Sequence, residues 1–318
     1  MRYLIIGLLL ISPFGFTFAQ TDLNFSNINE LRIDLNTDTL EPFSEVTASI
    51  NDYSIPDTIS SINWMLDGKN LAESKNQRNI TFNLKKIGQN SVVEAFLETT
   101  NHKTFSVKKV ISPVYLDIII EPQTRTPSFY KGRALPSTYS TINLTAIVNG
   151  DLDNADKYLY NWSLNDMRID GGTIIGGYKV STQIPLTSFN VVSLSITDKS
   201  NKLIARKSID IPTVDPILLF YTVNSLYGVG NIPIKDKLTF SGESVVVKAE
   251  PYYLDIKTYN QPQIAEWKVD GTRRLSRQNN PYEITFSGND RFKKAKVNFH
   301  VRSLTQILQG AEANFKIN

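Results

Sequence analysis

Cysteine is missing from all 318 residues. That absence excludes disulfides, thiolate metal sites and cysteine nucleophiles together. Histidine is nearly missing too, with only His102 and His300. His102 falls in the turn-like stretch "TTNHK". His300 falls in the alternating run "KVNFHVR", on the face opposite Phe299 and Val301. Neither has a serine or carboxylate partner at a recognisable spacing, and without an acid–base constellation an enzyme is not expected. No segment sustains a 3.6-residue apolar period, so helix should be scarce. Beyond the first twenty residues no apolar run approaches the ~20 residues of a membrane-spanning helix. Large exported eukaryotic modules usually carry disulfides, so a cysteine-free exported chain points to a bacterial envelope.

The opening stretch, "MRYLIIGLLLISPFGFTFAQ", is what implies export. Arg2 and the amino terminus supply positive charge, Tyr3 to Phe18 is apolar, and Thr17-Phe18-Ala19 offers a cleavage site before Gln20. Residues 1–19 are therefore expected to be a signal peptide, and 20–30 a polar tail. Contact with a membrane is expected only if the first segment is kept as an anchor. The expected location is periplasmic, cell-surface or extracellular.

Each of the three tryptophans stands in a similar phrase: "SINWMLDGKNL" around Trp64, "YNWSLNDMRI" around Trp162 and "AEWKVDGTRR" around Trp267. The spacings are 98 and 105 residues. That period is too long for a solenoid and suits a sandwich domain of ~100 residues. Before each tryptophan lies an alternating run, "EVTASI", "TINLTAIV" or "SVVVKAE". After it come two further alternating runs: "NSVVEAFLE" and "TFSVKKVI", "NVVSLSIT" and "LIARKSIDI", "AKVNFHVR" and "AEANFKI". Alternation of this kind marks half-buried strands. Proline-containing joints at Pro113 and at Pro212 and Pro216 mark boundaries that should be extended and stiff.

Trp64 with Asp67-Gly68, Trp267 with Asp270-Gly271, and the stretch "ITFNLKKIGQNSVVEAFLETTNHKTFSVKKVI" resemble a PKD-type or related immunoglobulin-like repeat. The second copy departs from the pattern with Asn165-Asp166 in place of Asp-Gly. The resemblance implies an all-β chain of three tandem immunoglobulin-like (PKD-like) sandwiches at 31–112, 113–212 and 213–318. It also implies a spacer, adhesion or surface-assembly role. In such a fold Trp64, Trp162 and Trp267 are core residues, each filling the space between two sheets.

Binding candidates are few. "NGDLDNAD" sets Asp151, Asp153 and Asp156 close together, as oxygen ligands for calcium or as a plain solvated loop, and no other cofactor is expected. "DGGTIIGGYK" lacks the surroundings of a phosphate loop and suits a hairpin or bulge. Tyr130, Tyr139, Tyr221, Tyr227, Tyr252, Tyr253 and Tyr259 lie in or near long inter-strand segments. If exposed on one face they would suit a glycan-binding accessory module, the alternative to a spacer. Charge grades along the chain: 9 Lys and Arg against 12 Asp and Glu over 20–112, 10 against 9 over 113–212, and 14 against 10 over 213–318. The last third clusters Arg273, Arg274 and Arg277, then Arg291, Lys293, Lys294 and Lys296. Such residues keep sheet edges soluble, or else they dock on an acidic envelope polymer or another surface protein. Export makes nucleic acid an unexpected partner.

Overall fold

Period-2 alternation puts one apolar face on each run, and pairing buries those faces between sheets. A computed structural model describes residues 31–149, 155–239, 243–278, 280–287 and 294–318. The expected signal peptide and polar tail lie outside them. The described residues are all-β, 54 % strand and 4 % helix, with several antiparallel sheets.

The first seven strands are β1 (Arg32–Leu35), β2 (Glu45–Asn51), β3 (Ile59–Leu66), β4 (Lys69–Asn70), β5 (Asn79–Asn83), β6 (Ser91–Thr99) and β7 (Thr104–Ile111). They form sheets ordered β1-β2-β5 and β4-β3-β6-β7. The next seven are β8 (Leu116–Pro122), β9 (Thr141–Val148), β10 (Leu159–Leu164), β11 (Met167–Ile175), β12 (Lys179–Gln183), β13 (Val191–Thr197) and β14 (Leu203–Asp210). Their sheets run β12-β9-β8 and β11-β10-β13-β14. The remainder are β15 (Ile217–Asn224), β16 (Gly228–Val229), β17 (Lys237–Leu238), β18 (Ser244–Tyr252), β19 (Ile264–Val269), β20 (Thr272–Arg274), β21 (Glu283–Ser287), β22 (Ala295–Arg302) and β23 (Gly310–Ile317). They form β16-β15-β18-β21 and β17-β23-β22-β19-β20. The one α-helix among the described residues, α1 (Ile256–Asn260), follows β18, and no described helix is long and apolar enough to cross a membrane. The runs "TFSVKKVI", "TINLTAIV" and "AKVNFHVR" are β7, β9 and β22 residue for residue.

The described chain divides into two compact units, residues 31–35, 48–80 and 92–109 in one and 36–47, 81–91 and 110–318 in the other. In the first, Trp64 is fully buried opposite Ala95 of β6, and the Lys109 ammonium donates to the Ile33 carbonyl at 2.7 Å. The second unit holds two apolar cores. One gathers Leu116, Leu144, Trp162, Val180 and Leu194 from both sheets of the middle strands. The other gathers Phe220, Val247, Trp267, Phe299 and Phe315 from both sheets of the last strands.

The tryptophan phrase is a structural unit. Trp64, Trp162 and Trp267 are 0 %, 1 % and 1 % exposed. Each indole N–H donates to a backbone carbonyl 13 to 15 residues downstream: Gln77 at 2.9 Å, Gly177 at 2.8 Å and Pro281 at 3.0 Å. Three residues after each tryptophan an Asp or Asn carboxyl or amide oxygen accepts the backbone N–H of Val92, Val191 or Lys296 at 2.8–3.0 Å. The turns have two successive positive φ angles: Asp67 51° and Gly68 77°, Asn165 50° and Asp166 62°, Asp270 49° and Gly271 79°. That is the two-residue turn whose twist matches antiparallel strands. Asn165-Asp166 therefore does the work of Asp-Gly despite its different spelling. The glycine-rich segment lies in and after β11, where the β10–β11 ladder shifts register between Asn161 and Ser163, and Gly177 supplies the carbonyl for Trp162.

Replacing Trp162 by alanine should cost about 3–5 kcal/mol, as large-to-small core changes do. Trp162→Phe should lose less, on the order of 1–3 kcal/mol, chiefly from stranding the Gly177 carbonyl. Denaturant unfolding of the full chain measures both; an alanine variant within about 1 kcal/mol of the parent would contradict the core role.

Candidate functional site

Within the second unit the most elaborate arrangement of polar groups joins the two cores. The long segment between β8 and β9 meets the chain just after β18 as a short antiparallel ladder. Arg125 N–H donates to the Leu254 carbonyl and Tyr253 N–H to the Arg125 carbonyl, both at 2.7 Å. Ile256 N–H donates to the Gln123 carbonyl at 3.0 Å. Tyr253 is held at φ 60°, a left-handed conformation uncommon for a bulky residue.

Side chains fill the joint. The Glu250 side chain is 1 % exposed, and Arg125 donates to its Oε1 from Nε at 2.9 Å and from Nη2. The Lys248 ammonium lies 2.9 Å from the other oxygen. The Arg125 guanidinium also stands 4.6 Å from the centre of the Tyr259 ring, which stacks on Tyr282. Asp255 caps α1 through Lys257 N–H and accepts Thr141 N–H, both at 2.9 Å. Gln309, fully buried, accepts Asp255 N–H at 2.8 Å and donates to Ser137 Oγ at 2.9 Å. Ser137 Oγ in turn donates to the Tyr253 carbonyl at 2.7 Å.

The tyrosines that a glycan-binding face would need exposed are largely built into this joint. Tyr221 and Tyr252 are buried and share a hydroxyl hydrogen bond at 2.6 Å. Tyr130 and Tyr253 do the same at 2.7 Å. Tyr139 and Tyr259 are half-buried, and of the seven only Tyr227 is fully exposed. Their rings pack edge-on against one another, Tyr130 on Tyr252 at 5.4 Å and Phe129 on Tyr221 at 5.1 Å. The buried Tyr221 and Tyr252 rings offer a glycan no face to stack on.

The basic residues are only partly gathered. Arg273 and Arg274 lie on the exposed edge strand β20, and with Leu275, Val269, Ile284 and Phe286 they line a cleft of about 350 Å³. Glu266 takes Lys268 at 3.0 Å and Arg273 at 3.4 Å, and the Lys268 hydrogen bond first of all holds its carboxyl below the usual range. Arg277 faces Glu283 at 3.5 Å. Lys294 and Lys296 are exposed, while Arg291 and Lys293 lie outside the described residues. Asp151 and Asp153 do as well; Asp156 is exposed in a short 3-10 turn. No group of three metal-ligating side chains occurs among the described residues. His102 Nδ1 stands 3.1 Å from Glu98 in an exposed hairpin. His300 is half-buried, and desolvation, then Arg302, lowers its pKa.

No protein-family model and no curated protein matches the sequence. Among solved structures, fibronectin(III)-like modules of Clostridium thermocellum CbhA align at 9 % identity and TM-score 0.28, covering 57 % of this chain and 93 % of that one. The central fibronectin-III array of RIM-binding protein aligns at 13 % identity and TM-score 0.28, covering 90 % and 95 %. Sidekick-1 immunoglobulin domains 1–5 align at 11 % identity and TM-score 0.32, covering 91 % of this chain and 58 % of that one. At these scores the alignments carry nothing about function, and the sheets themselves define the architecture.

The packed phenols carry a pH dependence. Burial, then the Tyr130 hydrogen bond, pushes Tyr253 up to about 12, and burial pushes Tyr160 up to about 12. Tyr252 and Tyr282 are raised by the same cause. A phenol in the unfolded chain titrates near ~10, so the unfolded chain loses protons first and stability falls as pH rises. Stability should be intact below about pH 10 and decline toward about pH 12, read by circular dichroism alongside phenolate absorbance. Phenolate absorbance reaching its full value near pH ~10 with no loss of structure would contradict the packing.

Proposed function

We propose that this protein is an exported, non-catalytic component of a cell surface or envelope. Residues 1–19 direct export and are removed before Gln20. Immunoglobulin-like sandwiches at 31–112, 113–212 and 213–318 then act as a spacer or adhesion element in a surface assembly. The observation that carries this reading is the ion pair between Arg125 and buried Glu250, which ties the last two cores together. Separating such a pair leaves a charge in a medium of low dielectric, so the joint resists bending. Resistance to bending is what a spacer requires.

The attachment end is the basic one. The net charge rises from −3 over residues 20–112 to +4 over 213–318, and a field of one sign steers association with the opposite sign. The partner is an acidic envelope polymer or the acidic face of another surface protein, met by Arg273, Arg274, Arg277, Arg291, Lys293, Lys294 and Lys296.

Envelope fractions incubated with the purified chain test this. The parent should be retained at 0.1 M salt and released toward 1 M, as the Debye length falls from ~10 Å to ~3 Å. A variant with Arg273, Arg274 and Arg277 replaced by alanine should be retained far less at low salt. Equal retention of the variant, or retention indifferent to salt, would contradict docking through this end. In the native host, protein found in the envelope should begin at Gln20, and protein confined to the cytoplasm would contradict the surface role.

A further inference from the structure

We infer that the outward face of the sheet β11-β10-β13-β14 is a binding site for a carboxylate-bearing polysaccharide, a chain of uronic acid sugars. None of its lining residues belongs to the basic cluster of the last third, and the inference does not depend on that cluster. The ladders align its side chains in two rows across four strands. Thr173, Asn161, Ser195 and Arg206 form one row, and Arg168, Ser163, Ser193 and Ser208 form the next. These eight side chains line a cleft of about 490 Å³. With strands ~4.8 Å apart the platform is about 14 Å wide, room for a short stretch of sugar chain.

A solvated sheet face is polar as a rule, so polarity alone decides nothing. The relief of this face does more. Asn161, Ser163, Ser193 and Ser195 at the centre are short and half-buried, whereas Arg168, Thr173, Arg206 and Ser208 at the flanks are exposed. The centre is thus a trough floored with groups that both donate and accept, which is what sugar hydroxyls require. Ser193 and Ser208 already hydrogen bond across strands at 2.8 Å, and Thr173 donates to Asn161.

Charge selects among sugars. Arg168 and Arg206 stand at opposite corners, and among the described residues neither guanidinium pairs with a carboxylate. A guanidinium fork matches a carboxylate in two parallel hydrogen bonds. Asp166 is the one carboxylate lining the trough; repulsion there turns the ligand's own carboxylates toward the arginines.

An aromatic ring completes the arrangement. Phe189 is 81 % exposed and lines an adjoining hollow of about 610 Å³ that shares Asp166 and Ser193 with the trough. Its loop is pinned in place. Asn165 Nδ2 donates to Thr187 Oγ1 at 3.1 Å and to Asn190 Oδ1 at 3.2 Å, while Thr187 Oγ1 donates to the Phe189 carbonyl at 2.8 Å. A ring presented by a pinned loop is pre-organised, and its apolar face suits the C–H side of a pyranose.

Titration calorimetry of the full mature chain with alginate-derived oligouronates, and with neutral maltooligosaccharides as control, tests the site. Uronate binding should be seen and neutral binding should not. Phe189→Ala and Arg206→Gln should each weaken uronate binding about tenfold, roughly 1.4 kcal/mol. The Arg273, Arg274 and Arg277 triple alanine variant should bind as the parent does. Hydroxyl-radical footprinting of the unaltered chain should show Phe189 protected by oligouronate, a readout immune to misfolding of any variant. No uronate binding, equal affinity for the neutral sugars, or unchanged reactivity of Phe189 would overturn the proposal. So would binding lost in the triple variant but kept in Phe189→Ala.

Discussion

Glu250 is a carboxylate with almost no access to water, and that constraint organises the second unit. Alone it would carry a desolvation cost of several kcal/mol. Lys248, two residues earlier on the same strand, meets one oxygen, and Arg125 reaches the other from a loop 125 residues upstream. Native burial of Glu250 therefore needs the β8–β9 loop in place. Around the pair, the Arg125 backbone ladder, the Asp255–Gln309–Ser137 chain and the paired tyrosine hydroxyls leave few unmatched donors, which is how a buried polar joint is stabilised rather than merely tolerated. The left-handed Tyr253 persists because backbone and side-chain bonds converge on it.

Much of the fold was legible because strands announce themselves locally. Alternation in "TINLTAIV" or "AKVNFHVR" depends only on which side of one ladder faces the core. The tryptophan phrase was legible for the same reason, and the structure adds its mechanism. The indole fills the core and its N–H meets a carbonyl 13 to 15 residues on, while the residue three positions later ties the turn to the neighbouring strand. Asn165-Asp166 looked like a departure because turn chemistry was judged by residue type. Its two positive φ angles place it with the other two turns. Asn shares with Asp both the tolerance of that conformation and the oxygen that accepts the strand N–H.

What could not be read is long-range. Arg125 and Glu250 have no periodic relation, and nothing in "EPQTRTPSFYKGRALPSTYS" announces that Tyr130 is matched to Tyr253, 123 residues later. The sequence left open whether the aromatic-rich segments were exposed on one face; Tyr221 and Tyr252 are packed in the joint between the cores. Conversely, the serines and arginines at 161–208 read as ordinary outward positions of alternating strands. Only the register of three ladders shows that they form two rows.

The central claim is that Arg125 and Glu250 are energetically coupled across the joint. A double-mutant cycle with Arg125→Met and Glu250→Gln, followed by denaturant unfolding of the full chain, isolates that term. The account predicts a coupling of about 2 kcal/mol, within the range for contacting groups in one hydrogen-bonded network. A coupling below about 0.5 kcal/mol, the level of independent sites, would contradict it.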